Sequence, residues 1–266
     1  MMSAVRVAIH GAAGRMGQRL VALGTENDGM SIVAALESAN HPLLGQDAGT
    51  VAGCAPLGIT LTATLDVEAD VLIDFSTPEG TLNVIEVCLA RRIPLVLATT
   101  GFDATQQQRI EAAAETIPLL WAPNMSLAVN LLMKLSSITG RALKDHASGV
   151  DVEIIERHHR YKEDAPSGTA LMFGKLIAEE LGQTIDRHGR EGRTGIRPRD
   201  EIGYHALRTG DNPGEHTVVF GMLGETIELV VKATNRDCYA QGALSAARFL
   251  AGKPSGRYSM NDVLGF

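Results

Sequence analysis

The sequence predicts an α/β chain in two parts. A parallel sheet covered by helices occupies residues 1–126, and a smaller α+β region follows over 127–238; a closing helical stretch, about 239–266, is expected to pack back on the first part. Three observations predict this. Short apolar runs alternate with helical stretches through the first half, a long amphipathic helix begins near Leu127, and the remainder carries strand patterns without regular helical crossovers. A chain of 266 residues, 45% hydrophobic and 21% charged, is long enough for one large domain or two modest ones.

Taken in order, residues 5–9 form an apolar, β-branched strand that ends at His10 and meets Gly11-Ala12-Ala13-Gly14-Arg15-Met16-Gly17, after which 18–23 reads as helix. Residues 31–36 give a second strand, followed by Glu37, 20 positions beyond Gly17. Strand, glycine turn, helix, strand and acid together have the logic of a Rossmann-like dinucleotide-binding unit. Glycines admit a pyrophosphate to the backbone, the helix N-terminus faces its charge, and the acid takes ribose hydroxyls. The spacing is Gly-x-x-Gly-x-x-Gly, with Ala13 inside it, and a merely tight turn is the alternative. Residues 71–75 form the next strand. Thr77-Pro78-Glu79 starts a helix with a capping hydroxyl, a proline at the first position and an early acid. The helix runs to about Arg92; strands at 94–98 and 119–121 flank a helix over 105–115. Ligands of such sheets lie at the carboxyl ends of strands, where Thr99, Thr100, Pro123, Asn124, Met125 and Ser126 fall.

The helix over 127–144 shows an apolar stripe of Leu131, Leu132, Leu135, Ile138 and Leu143. Strands are expected at 150–156, 201–207, 215–220 and 226–233, interrupted by a mobile loop at 187–200 rich in Gly, Arg and Asp; a last helix covers 239–250. Against a net charge of −7, five basic residues crowd into six positions: Arg157, His158, His159, Arg160 and Lys162. Such a local reversal suits an anionic ligand. Directly after it, Pro166-Ser167-Gly168-Thr169 opens a helix near Ala170, and a helix entrance of small residues presents unpaired N–H groups to an anion. A solvated charged loop before an ordinary helix cap is the plainer alternative.

Glu156, His158, His159, Lys162 and the run from Asp164 to Ala170 resemble the Glu-x-His-His-x-x-Lys-x-Asp-Ala-Pro-Ser-Gly-Thr-Ala signature of the bacterial and plant 4-hydroxy-tetrahydrodipicolinate (dihydrodipicolinate) reductase family. The segment from Arg208 to Thr217 is also similar to that family, so the resemblance spans essentially the whole chain. It implies reduction of a cyclic dicarboxylate with NADH or NADPH, in the diaminopimelate route to lysine, by a homotetramer assembled through the sheet of the second domain; a cytoplasmic location is expected from the scattered Cys54, Cys88 and Cys238, read as reduced thiols. It further implies His158 as the acid/base residue, Lys162 as the proton donor, and His159, Gly168 and Thr169 as substrate-binding residues. On the coenzyme side it implies Gly11, Ala12, Ala13, Gly14, Arg15 and Met16 at the pyrophosphate and Glu37 at the ribose. Ala98, Thr99 and Thr100 would flank the nicotinamide, and Pro123, Asn124, Met125 and Ser126 the opposite wall. Two departures stand out. Ala98 replaces a Gly frequent in relatives, and Ser38 follows Glu37 where relatives that use NADPH well carry Arg; the absence of that cation leans the expected preference toward NADH.

Other function classes fit less well. The acidic balance, with one Trp, four Tyr and six Phe, argues against a nucleic-acid face, and no apolar run reaches the roughly 18 residues of a membrane span. Met1 to Val7 enters a strand pattern without the form of a signal peptide. Cys54, Cys88 and Cys238 are scattered and lack ligand spacing, so neither a disulfide framework nor a metal site is expected. A dehydrogenase acting on aspartate semialdehyde or homoserine would require a catalytic Cys in a recognisable setting or a different Lys/Asp arrangement. A sensor that binds NAD(P) without turnover would have no use for His158 and Lys162 beside an anion cradle.

Overall fold

A computed structural model of the chain describes residues 4–266; Met1, Met2 and Ser3, where the entry to the first strand was also expected, lie outside the described residues. The chain divides into two compact units, one of residues 4–127 with Asp237–Phe266, the other Ala128–Arg236.

The first unit runs β1 (Val5–His10), α1 (Arg15–Thr25), β2 (Met30–Leu36), α2 (Ala48–Val51), β3 (Leu61–Thr62), β4 (Val71–Asp74), α3 (Pro78–Arg91), β5 (Leu95–Leu97), α4 (Ala104–Ala113) and β6 (Pro118–Trp121). After the second unit it is completed by α7 (Asp237–Leu250), β12 (Gly256–Tyr258) and α8 (Met260–Leu264). Its seven strands are all parallel, in the order β12-β6-β5-β4-β1-β2-β3, a Rossmann-like sheet. Side chains alternate between faces, so both faces are buried. Val7, Ile9, Ile73, Val96 and Leu120 meet α1 and α7, while Ala8, Leu72, Leu95, Leu97 and Leu119 meet α3 and α4. Chain order reverses between β1 and β4, which marks the switch point where ligands of such sheets bind.

Local chemistry sets the helix ends. Thr77 accepts from the Gly80 N–H at 3.2 Å with Pro78 at the first helical position, and Asp103 and Gln106 cap α4 reciprocally. Helix α1 starts at Arg15, ahead of the expected 18, because Gly14 serves as its N-cap. Gly242 of α7 lies so near Met125 that an added Cβ would fall 1.7 Å from the Met125 carbonyl oxygen; only glycine allows this approach.

The second unit contains α5 (Leu127–Leu143), β7 (Asp151–His158), α6 (Gly168–Leu181), β8 (Ile185–His188), β9 (Glu201–Arg208), β10 (Glu215–Met222) and β11 (Glu225–Lys232). Its mixed sheet has the order β11-β10-β7-β9-β8, with β7, β9 and β8 parallel and β10 antiparallel to both neighbours. Val152, Ile154, Ile202, Tyr204, Val218 and Phe220 form one face of its core with Phe173 and Ile177 of α6.

Two expectations need correction. In α5 the inward residues are Val129, Leu132, Met133, Ser136 and Gly140, whereas Leu131, Leu135 and Ile138 are exposed. Small residues complete the buried face at its C-terminal end: at Gly140 an added Cβ would sit 3.3 Å from Cβ of Glu180 on α6. The 187–200 segment is not a free loop. It begins inside β8, and Arg190 and Arg197 tie it back to Glu153, Glu201 and Asp151 through contacts of 2.6–3.2 Å. Among the described residues no helix is long and apolar enough to cross a membrane.

Candidate active site

At the switch point of the first unit a cavity of about 690 Å3 is lined by His10, Gly11, Gly14, Glu37, Ser38, His41, Phe75, Ser76, Thr77 and Gly80, among others. The glycine turn is shaped by close approach. Gly11 has φ +77°, and a Cβ there would lie 2.6 Å from the Phe75 carbonyl oxygen; on Gly17 it would lie 2.1 Å from the Gly11 oxygen. Ala12 and Ala13 bury their methyls, Gly14 and Arg15 are exposed, and Met16 packs partly against the core. Glu37 accepts from the Ala13 N–H at 3.0 Å and the Ser38 N–H at 3.1 Å, which places its carboxylate at the turn. Backbone and acid therefore fit a dinucleotide, with the turn and the N-terminus of α1 for the pyrophosphate and Glu37 for a ribose.

The other expected coenzyme residues have mixed surroundings. Ala98 and Thr99 are buried and Thr100 is exposed. The Thr99 hydroxyl donates to Asp74 at 3.0 Å and accepts from the Ser76 N–H at 3.1 Å, so it fastens strand ends to one another. Pro123 and Asn124 reach the surface, Asn124 accepting from the Ser126 N–H at 2.9 Å, whereas Met125 and Ser126 are buried.

In the second unit, strand alternation splits the basic run. Arg157 leaves on the outer face of β7, 3.7 Å from Glu215, and Arg160 is exposed, while His158 turns inward with Glu156. The Glu156 carboxylate is almost fully buried. It lies 2.5 Å from His158 Nδ1 and accepts from both terminal nitrogens of Arg208 at 2.8 Å and from the Ser167 N–H at 3.1 Å. One carboxylate thus joins the histidine, the entrance of α6 and, through Arg208, the Asp164 carbonyl oxygen. Burial alone would raise Glu156, but Arg208 and then His158 more than offset it and hold it below the usual carboxylate range. For His158, burial is the largest influence and pushes its pKa down; Glu156 opposes this. An ionised carboxylate accepts only, so His158 Nδ1 carries hydrogen, and Nε2 has no protein partner among the described residues.

Around this pair, Lys162 Nζ donates to Asp164 at 2.7 Å with its side chain 21% exposed, within reach of solvent or ligand. His159 is half-buried, its Nδ1 without a protein partner. Gly168 is the first residue of α6, and Ser167 caps the helix by accepting from the Ala170 N–H at 3.2 Å; Thr169 follows in the first turn. His216 stacks edge-on to His158 with ring centroids 5.3 Å apart, and burial, with His158 adding to it, pushes it down to about 4. Sequence reasoning assigned no role to Glu156, Arg208 or His216. Glu156 had a signal, two positions before His158 and hence on the same face of a strand. Arg208 faces His158 only through the β7–β9 register.

Fold and site define a nicotinamide-coenzyme oxidoreductase. The chain belongs to the dihydrodipicolinate reductase family: residues 5–125 match "Dihydrodipicolinate reductase, N-terminus" and residues 128–264 match "Dihydrodipicolinate reductase, C-terminus". It is 56% identical over 269 residues to the 4-hydroxy-tetrahydrodipicolinate reductase of Rhodopirellula baltica, covering 98% of this chain and 96% of that one. Its counterpart in Alkalilimnicola ehrlichii is 47% identical over 266 residues, with 98% of each covered. Among solved structures, the dipicolinate-bound dihydrodipicolinate reductase from Paenisporosarcina sp. TG-14 has a TM-score of 0.77 at 26% identity, covering 97% of this chain and 99% of that one. An amine dehydrogenase from Mycobacterium smegmatis shares the fold alone, with a TM-score of 0.62 at 12% identity over 97% of this chain and 96% of that one.

Proposed function

We propose that this chain reduces 4-hydroxy-tetrahydrodipicolinate to tetrahydrodipicolinate with release of water, in the diaminopimelate route to lysine. The observation that carries the proposal is the carboxylate-held His158 beside Lys162 and the entrance of α6, in a chain matched along its length by reductases of that name. The nicotinamide coenzyme supplies the hydride. His159 binds the substrate, and Gly168 and Thr169 hold one of its carboxylates. His158 takes or gives a proton at Nε2, and Lys162 delivers a proton and a counter-charge, with Asp164 keeping its ammonium in place. Pyridine-2,6-dicarboxylate, a flat mimic of the ring, is expected to bind with reduced coenzyme present and to weaken on His159→Ala; the related Paenisporosarcina enzyme is described as dipicolinate-bound. Absence of binding to the wild type would overturn the substrate assignment.

The turn from Gly11 to Met16 holds the pyrophosphate, Glu37 the adenosine ribose, Ala98 to Thr100 the nicotinamide, and Pro123 to Ser126 the opposite wall, the buried members through their backbones. With Ser38 exposed after Glu37, no arginine stands beside the acid to pair with a 2'-phosphate, which favours NADH over NADPH. Residues 1–126 act as the dinucleotide-binding domain, helped by the 239–266 segment, and 127–238 as the substrate-binding domain. The chain works in the cytoplasm as a homotetramer built on the outer face of the second sheet. Ile155, Leu207 and Val230 share that face at 38%, 39% and 47% exposure, apolar positions suited to contact with a second copy.

A further inference from the structure

The coenzyme cavity contains a histidine for which the glycine-turn pattern has no role. His10 closes β1 immediately before Gly11, and its Nδ1 lies 2.7 Å from Asp74 Oδ1. Asp74 is fully buried at the end of β4, and its carboxylate is saturated: Oδ1 also accepts from the Ser76 N–H at 3.2 Å, and Oδ2 from the hydroxyls of Thr81 at 2.5 Å and Thr99 at 3.0 Å. One carboxylate therefore fastens the ends of β1, β4 and β5 to α3. It also orients the imidazole. An ionised carboxylate is acceptor-only, so Nδ1 carries hydrogen, and the ring nitrogen left over is Nε2. The His10 side chain is 12% exposed on the cavity, and Nε2 has no protein partner among the described residues. Room for the ring edge comes from Gly80, where an added Cβ would stand 3.2 Å from His10 Cε1.

Resting on the proposed coenzyme-dependent function, we propose that His10 is a coenzyme-binding residue whose Nε2 donates a hydrogen bond to the pyrophosphate, with Asp74 holding the ring in place. A phosphate oxygen accepts only, so Nε2 must carry hydrogen as well, and the bound imidazole is a cation lying between the Asp74 carboxylate and the phosphate. The cationic ring is therefore the form that binds the pyrophosphate. The other groups facing this cavity are Glu37 after β2, Glu79 at the start of α3, and His41; Glu37 and Glu79 favour the cationic ring, and His41 lies on the far side of Ser38 in sequence. The two phosphates of NADH and NADPH are the same here, so the contact supports both coenzymes alike.

The test measures dissociation constants of NADH and NADPH by coenzyme fluorescence from pH 6 to 9, for wild type, His10→Gln and His10→Ala, with thermal midpoints recorded for each. The inference expects both coenzymes to bind roughly tenfold more weakly to either variant at pH 6–7, since charge-assisted hydrogen bonds contribute about that much. It also expects wild-type affinity to fall with rising pH as the ring loses its second donor, and the variants to lose most of that dependence. Unchanged affinities in folded variants would overturn it and leave His10 a packing residue. Weaker binding with an unaltered pH dependence would overturn the phosphate contact, since a neutral Nε2 can only accept, as from a ribose hydroxyl. Loss confined to NADPH would move the contact to the 2'-phosphate and equally overturn it. If the wild type binds neither coenzyme, the proposed function itself fails, and this inference with it.

Discussion

Replacing Glu156 by Gln changes little volume and reverses one hydrogen-bonding group. The carboxylate accepts from His158, twice from Arg208 and once from Ser167, with Oε1 facing Ser167 and one Arg208 nitrogen and Oε2 facing His158 and the other. In Glu156→Gln the amide oxygen keeps Ser167 and one Arg208 nitrogen, while the NH2 group loses the other Arg208 nitrogen as a partner and turns toward His158 Nδ1. An amide donor there forces Nδ1 to accept, so the proton moves to Nε2 and the neutral ring loses the lone pair that its proposed acid–base role requires. Acid–base catalysis by one positioned side chain contributes about 10²–10⁴-fold. We expect kcat to fall by a factor in that range while KM changes by less than about tenfold, because His159, Gly168 and Thr169 keep their places. The pH profile should move too. Glu156 opposes the burial that lowers His158, so its loss shifts the limb reporting protonated His158 to lower pH. Single-turnover kinetics with saturating NADH from pH 5 to 9 read both effects, with denaturant unfolding as the check on stability. A kcat within threefold of wild type and an unmoved limb would refute the orienting role and leave Glu156 a purely structural anchor for Arg208 and Ser167.

Three further outcomes are expected. His216 is held down to about 4 against an ordinary 6.5, so between those values the unfolded chain binds the extra proton and the folded chain does not. Stability present above about pH 6.5 is therefore lost as pH falls toward 4, by up to about 3 kcal/mol from this residue; equal slopes for wild type and His216→Gln in denaturant titrations over that window would contradict this. In Gly17→Ala the new methyl would lie 2.1 Å from the Gly11 oxygen and 2.6 Å from Ala12 Cα, both backbone. Overpacking of this kind costs about 1–3 kcal/mol, so calorimetry should show a lower melting midpoint and titration a weaker NADH complex; wild-type values in both would mean that helix and turn are not in close contact. Ser38→Arg should raise kcat/KM for NADPH relative to NADH by about tenfold or more through a charged contact to the 2'-phosphate, and an unchanged ratio would remove Ser38 from coenzyme selection.

Much of the first unit was legible because its physics is local. Alternating apolar strands, the Thr77-Pro78-Glu79 helix start and the glycine turn are each set by neighbours in sequence, and the structure places β1, α3 and β6 close to where these signals fall. Elements lacking such a signal were missed. Strand β3 is two residues long, and β8 reads Ile-Asp-Arg-His with every residue exposed, an edge strand without the alternation that betrays buried ones. Helix α5 was legible as a helix, but its buried face was not, since Ser136 and Gly140 are inside while three large apolar residues are outside. At the site, His158, His159 and Lys162 stood out by residue type and density. Arg208 and Asp74 did not, because their roles depend on which strand lies beside which and in what register.

The most direct measurement of the central claim is a coupled assay. Pyruvate and aspartate semialdehyde are condensed in place by the upstream synthase, and loss of NADH or NADPH absorbance is followed separately for wild type and for Lys162→Ala. Wild type is expected to consume a reduced coenzyme, faster with NADH, and Lys162→Ala to be about 10²–10⁴-fold slower, as the proposed proton-donating role of Lys162 requires. Coenzyme that binds but is not consumed, or a Lys162→Ala variant as fast as wild type, would contradict it.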